Sequence, residues 1–192
     1  MVRQATARAM TDAAFEQLAL DDPDGKWELW QGTPRRKPAM TFQHNAVADL
    51  LARQLWLQID IRQFHVRVDK GHVHRRDQGY FVPDVFVIPA AAFAPFLGDE
   101  ARLEAYTEPM PLVVEVLSPS TRRYNQRAKL AAYQQRGDRE IWLIDPRAGH
   151  RRLTAWRRQP DGAYAETVYE RGEVRPVALP GVVIDFDALF TA

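Results

Sequence analysis

Along the chain, Val47, Leu50, Leu51, Leu55 and Ile59 recur at helical spacing, which predicts a helix from Phe42 to about Asp60. Upstream, Thr11 is a cap for a short helix from Ala13 to Leu20, ended by the Asp21-Asp22-Pro23-Asp24-Gly25 turn. Lys26 to Gln31 and Pro38 to Thr41 read as two short strands around Gly32 and Pro34. Phe64 to Val68 alternates apolar and polar positions like a half-buried strand. Tyr80 to Ile88 is a further strand, interrupted at Pro83-Asp84. Proline lacks the ladder donor, so the backbone there is expected to be irregular. Residues 89–109 form a long connection with a helical turn or two.

Pro111 to Leu117 is a continuous apolar run, as in a buried central strand, except at Glu115. Ser118-Pro119-Ser120-Thr121 supplies a helix N-cap with proline in the first turn, and Gly137 is a natural residue just past the helix end. Ile141 to Ile144 is a second buried strand, closed by Asp145-Pro146. The order strand, helix, strand predicts a right-handed crossover between parallel strands. Arg152–Arg158 and Ala163–Tyr169 alternate as an antiparallel annex before the terminal Asp185-Phe186-Asp187-Ala188-Leu189-Phe190. The pattern describes an α/β fold: a mixed central sheet flanked by helices, with a small C-terminal antiparallel β annex. One domain is expected over 10–192, preceded by an extension over 1–9.

Composition narrows the function classes. At 192 residues the chain needs no disulfide or structural metal to be stable. It has no cysteine, which removes disulfide scaffolds, cysteine zinc sites and thiol nucleophiles together. No apolar run approaches the ~20 residues of a membrane span, and the N-terminus has two arginines without the apolar stretch of a secretory signal. A cytoplasmic protein with no membrane partner is expected. The net charge of +1 neither announces nor excludes a nucleic-acid partner, because phosphate binding needs local clusters rather than a global excess. Arginine outnumbers lysine 22 to 4, so each lysine departs from the habit of the chain.

The chemistry begins at Glu115. A carboxylate inside Leu112-Val113-Val114-Glu115-Val116-Leu117 costs several kcal/mol unless it is paired or metal-bound. A glutamate on a solvated face, or one paired with a buried arginine, is the competing reading. Asp84 follows Pro83 inside an apolar strand, where irregular backbone can aim its carboxylate sideways. Two carboxylates on neighbouring strands would supply the hard oxygen ligands that magnesium or manganese prefers. Glu115 lies three residues before its strand ends, ~10 Å back at ~3.3 Å per residue. A helix returning at ~1.5 Å per residue passes over it around residues 125 to 129. Asn125 and Lys129 are an i, i+4 pair on that face. Unlike arginine, a lysine can shift its pKa in a dry site. Glu28, in a short strand between Trp27 and Leu29, and His44, in the first turn of the long helix, could reach a site formed at that edge.

These residues resemble the Uma-two family of endonucleases. The likeness lies in Met10-Thr11 before a short helix, Trp27-Glu28-Leu29, His44 early in the next helix, and Val82-Pro83-Asp84-Val85. It is most specific over LVVEVLSPSTRRYNQRAKLAAYQQRGDREIWLIDP (112–146) and extends to the terminal PGVVIDFDALF. The resemblance places the chain in the PD-(D/E)XK superfamily, whose fold is restriction-endonuclease-like and whose members are metal-dependent nucleases. It implies Asp84, Glu115 and the carbonyl of Val116 as ligands of Mg²⁺ or Mn²⁺. The superfamily lysine normally sits two residues after the acid, where this chain has Leu117. The family's lysine is displaced to the following helix, at Lys129. Glu28 adds an acidic group, and Asn125 stands where relatives commonly carry aspartate. Relatives often read Asp-Gly-Glu after the first strand, where this chain has Gln31-Gly32-Thr33. Hydrolysis of a nucleic-acid phosphodiester follows as the expected activity, on DNA in the first instance, with a homodimer as one assembly. Arg122, Arg123, Arg127 and His44 are the candidates for nucleic-acid contacts. The losses at Asn125 and Gln31 leave a second expectation, a catalytically weakened nuclease fold that binds nucleic acid or regulates.

Overall fold

The computed structural model of the chain describes residues 9–76, 79–99, 101–119 and 124–191. Helix α1 (Asp12–Asp21) starts where Thr11 Oγ1 accepts a hydrogen bond from Ala14 N. Strands β1 (Trp27–Trp30) and β2 (Thr33–Arg36) form a hairpin through Gln31 and Gly32, both at positive φ. The expected second strand at Pro38–Thr41 is therefore displaced. The two-residue turn pairs Trp30 with Thr33 at once, and the segment after β2 leads instead to Thr41, the N-cap of α2 (Phe42–Trp56). That helix ends about a turn before Asp60.

The remaining strands are β3 (Phe64–Val68), β4 (His72–Arg75), β5 (Gly79–Phe81), β6 (Val85–Pro89), β7 (Ala105–Tyr106), β8 (Leu112–Val116), β9 (Glu140–Asp145), β10 (Arg152–Arg158), β11 (Tyr164–Tyr169), β12 (Glu173–Val174) and β13 (Ile184–Asp185). A short helix α3 (Ala90–Phe93) follows β6. A π-helical segment (Asn125–Lys129) runs directly into α4 (Leu130–Arg136), which Gly137 ends in the left-handed conformation.

Among the described residues, one sheet has the order β2-β1-β5-β4-β7 and a larger one the order β11-β10-β9-β8-β6-β3. β8 and β9 are parallel, joined through α4, and the other neighbours in the larger sheet are antiparallel. The antiparallel β10–β11 hairpin continues the edge of this sheet, and β12–β13 is a separate two-stranded sheet. The apolar run from Tyr80 is thus not one strand. It breaks at Val82-Pro83-Asp84, with β5 in one sheet and β6 in the other, so Asp84 sits where the chain passes between sheets.

Alternation along β8 sends its two sets of side chains to different clusters. Leu112, Val114 and Val116 pack with Val47, Leu51 and Leu55 of α2. Val113 packs with Phe86, Ile88, Ala132 and Tyr133, which puts Glu115, two residues on, toward α4. The sheets are tied together by buried Arg136, which pairs with Asp138 (3.1 Å) and donates to the carbonyls of His74, Tyr106 and Glu108.

Candidate active site

The antiparallel register of β6 and β8 pairs Val85 with Val114, so Asp84, one residue before β6, comes opposite Glu115. Its irregular backbone lets Asp84 Oδ2 replace a ladder acceptor: it takes the backbone N–H of Val116 at 2.7 Å. His44, in the first turn of α2, brings Nε2 to 3.0 Å from the same oxygen. Oδ1 faces Lys37 Nζ at 2.6 Å. That contact is an ion pair without hydrogen-bond geometry, so Oδ1 is a buried acceptor that takes no hydrogen bond.

Glu115 is held from the helix side. Lys129 Nζ lies 2.9 Å from its Oε1, and Tyr133, one helical turn on, donates its hydroxyl to that oxygen at 2.6 Å. Lys129 also meets Glu28 Oε1 at 2.7 Å, and Glu28 takes the N–H of Val82. The two lysines share one more partner, the carbonyl of Val82, at 3.1 Å from Lys37 and 3.3 Å from Lys129. Arg35 closes the flank of the cluster, with its guanidinium 3.7 Å over the Tyr124 ring and 3.9 Å from Glu28 Oε2. The cluster is dry: Glu28, Asp84, Glu115 and Lys129 are each at most 2% exposed. The π segment carrying Lys129 is a type of helix distortion found often at functional sites.

Burial sets the electrostatics, and the partners decide its outcome. It pushes the Glu115 carboxyl up, to about 7, because Asp84 and Glu28 add to the burial effect against the pull of Lys129 and Lys37. Asp84 goes the other way. Burial would raise it, but Lys37, His44 and Lys129 together hold it well below the usual carboxylate range. Burial would lower Lys129, yet Glu115, Glu28 and Asp84 outweigh it and hold the amine above its ordinary value, so Lys129 is an ammonium at neutral pH. Lys37 and His44 are raised likewise, against burial, chiefly by Asp84.

Comparison with known proteins gives a family. A model described as "Uma2: Putative restriction endonuclease" matches residues 12–187. The chain belongs to the Uma2 family. No curated protein matches. The crystal structure of "a putative nuclease belonging to DUF820" from Anabaena variabilis is similar with a TM-score of 0.70. It is 18% identical, and the match covers 89% of this chain and 96% of that one, a likeness of fold.

Of the residues singled out in the sequence of this Uma2 protein, Asp84, Glu115, Lys129, Glu28 and His44 come together in one cluster, with Val116 contributing its N–H. Arg127 is exposed on the π segment. Arg122 and Arg123 lie outside the described residues, as does the side chain of Asn125. Sequence reasoning missed Lys37, Asp69 and Tyr133. Lys37 had a usable signal, being one of only four lysines, but it sat inside a basic triplet that reads as solvated surface. Tyr133 is one helical turn beyond Lys129 and could have been found from that spacing. Asp69 could not. Among the described residues, no group of three or more His, Asp or Glu stands in metal-holding geometry. No helix among them is long and apolar enough to cross a membrane.

Proposed function

We propose that this Uma2 protein hydrolyses phosphodiester bonds of nucleic acid, with Mg²⁺ or Mn²⁺ held by Asp84 and Glu115, in the manner of PD-(D/E)XK nucleases. The observation that carries this reading is the facing pair of buried carboxylates, Asp84 and Glu115, with Lys129 on Glu115 and Lys37 ion-paired to an Asp84 oxygen that takes no hydrogen bond. The donor set suits a small hard cation: two carboxylates are what magnesium takes from protein when water and substrate phosphate complete its shell. The carbonyl of Val116 is the third ligand in this reading. When bound, the ion would polarise the phosphate and lower the pKa of the attacking water.

The protein's own residues do the rest. Val116 N–H and His44 Nε2 fix Asp84 through Oδ2, so that Oδ1 faces Lys37. Tyr133 fixes Glu115 through Oε1. Lys129, held as an ammonium, offsets charge that develops on the phosphate and does not act as a base. Arg35, a third exposed over the cluster, and Arg127 are the cations a backbone phosphate meets first, without sequence readout. Arg122 and Arg123 extend that set along the chain.

The test is cleavage of plasmid DNA, and of RNA in parallel, by wild type, Glu115→Ala and Lys129→Ala with Mg²⁺, Mn²⁺ or EDTA. Wild type is expected to cleave with either ion and not with EDTA, and each variant to lose on the order of a hundredfold or more. Activity unchanged in Glu115→Ala would sink the assignment. One observation favours a second reading, a weakened nuclease fold that binds nucleic acid: the buried carboxylates already have lysine partners. Retarded DNA with no cleavage at any metal concentration would select it.

A further inference from the structure

Among the described residues, Lys37 stands closer to Asp84 than any other cation. It follows β2, its N–H is tied to the carbonyl of Lys26 at 3.0 Å, and its side chain is 4% exposed. Nζ spends its contacts on Asp84 Oδ1 (2.6 Å), Asp69 Oδ1 (2.8 Å) and the Val82 carbonyl (3.1 Å). Asp84 Oδ1 is the one oxygen of that carboxylate that neither Val116 nor His44 holds. Lys37 therefore takes the position that a cation bound by Asp84 would need.

The second carboxylate on Lys37 is built in as firmly. Asp69 lies in the turn after β3 and donates its N–H to the carbonyl of Asp84 at 2.9 Å. It adopts a left-handed backbone (φ 50°), uncommon outside glycine, and its other oxygen is paired with Lys26. Unlike Asp84, it is about a third exposed. Lys37 thus has two seats beside one another, one buried on Asp84 and one nearer solvent on Asp69.

Charge decides how the seats are used. Around the Val82 carbonyl, the carboxyls of Glu28, Asp84 and Glu115 face the ammonium groups of Lys37 and Lys129. A divalent ion on Asp84 with Lys37 in place would put three positive charges on one side of a dry cluster. Repulsion at such range and interior dielectric outweighs a tenfold change in affinity. We propose that Lys37 is a tethered competitor for the divalent ion: its ammonium occupies Asp84 Oδ1 when no ion is bound, and Asp69 receives it when one binds. The inference rests on the metal reading of this site. It makes Lys37 and Asp69 positioning residues that set metal affinity.

The test is Mn²⁺ binding, followed by the electron paramagnetic resonance signal of free Mn²⁺ and by calorimetry, with no nucleic acid present. Lys37→Met is expected to bind at least tenfold more tightly than wild type. Asp69→Asn, which weakens the outer seat and leaves Lys37 on Asp84, is expected to bind severalfold more weakly. In the Lys37→Met background, Asp69→Asn should have no further effect, because Asp69 acts only through Lys37. Binding unchanged or weakened in Lys37→Met overturns the proposal, as does an equal loss from Asp69→Asn in both backgrounds. If Lys37→Met does not fold, Asp69→Asn decides alone, and unchanged or tighter binding there overturns it. Absence of Mn²⁺ binding in wild type and Lys37→Met alike refutes the metal reading and this inference together. Measurable binding that ignores Lys37 refutes this inference alone.

Discussion

Glu115→Gln removes an ionisable group from the middle of the fold while keeping its size, and so isolates what burial does to this carboxyl. Glu115 is fully buried, and its carboxyl is raised from 4.5 to about 7. A group with a raised folded pKa contributes stability that is whole below its unfolded value and is lost as pH rises through the folded one. The window here runs from 4.5 to about 7. At ~1.4 kcal/mol for each pH unit of separation, the loss across it is about 3 kcal/mol. That is a large share of the ~5–15 kcal/mol that holds a domain folded. The assay is urea unfolding of wild type and Glu115→Gln in EDTA at a series of pH values, with the slope against urea checked for equality. The stability of wild type relative to the variant should fall by about 3 kcal/mol over the window and level off above it. Other carboxylates titrate in both proteins and cancel. A difference that stays flat, or that grows with pH, would refute the reasoning, because it would mean that Lys129 holds Glu115 ionised against burial.

Asp84→Asn probes the opposite sign. Asp84 is depressed, so its contribution is present above the ordinary aspartate value of 3.8 and lost as pH falls below it, and acid unfolding curves of the two proteins should converge there. Lys129→Met leaves Glu28 and Glu115 buried without their shared cation and should cost on the order of 3–5 kcal/mol in thermal or urea unfolding, together with nuclease activity. Arg136→Met, in the last turn of α4, should destabilise by a similar ~3–5 kcal/mol, because it strands Asp138 and three carbonyls. Gly79→Ala should cost several kcal/mol by the same measurement. Its φ is 135°, and a Cβ there would meet the Leu29 carbonyl oxygen at 1.8 Å, so β1 and β5 must part.

Much of the fold was legible because it rests on local pattern. Helix α2 and strands β8 and β9 declare themselves by period and by unbroken apolar runs. Capping residues named the helix start at Thr11 and the stop at Gly137, whereas Thr41, read as the end of a strand, is the N-cap of α2. The misread segments each have a physical cause. Tyr80 to Ile88 looks like one strand because both halves are apolar, and only sheet assembly divides it at Pro83-Asp84. Strand β4 went unseen because His72, His74 and Arg75 carry no apolar period. Lys37 was passed over because three basic residues in a row look solvated.

Local pattern alone put a carboxylate inside an apolar strand and brought a helix carrying Lys129 back across it. Strand rise, helix rise and the cost of a buried charge fix those two statements before any contact is known. Which charges meet in the cluster was settled by long-range packing. Lys37, Asp69 and Glu28 reach Asp84 and Lys129 from turns and strands far away in the chain, and such contacts depend on how two sheets meet around Val82. Burial raises both carboxyls, and their partners then send them in opposite directions, because Lys37 and His44 stand against Asp84 while Glu115 shares Lys129 with Glu28.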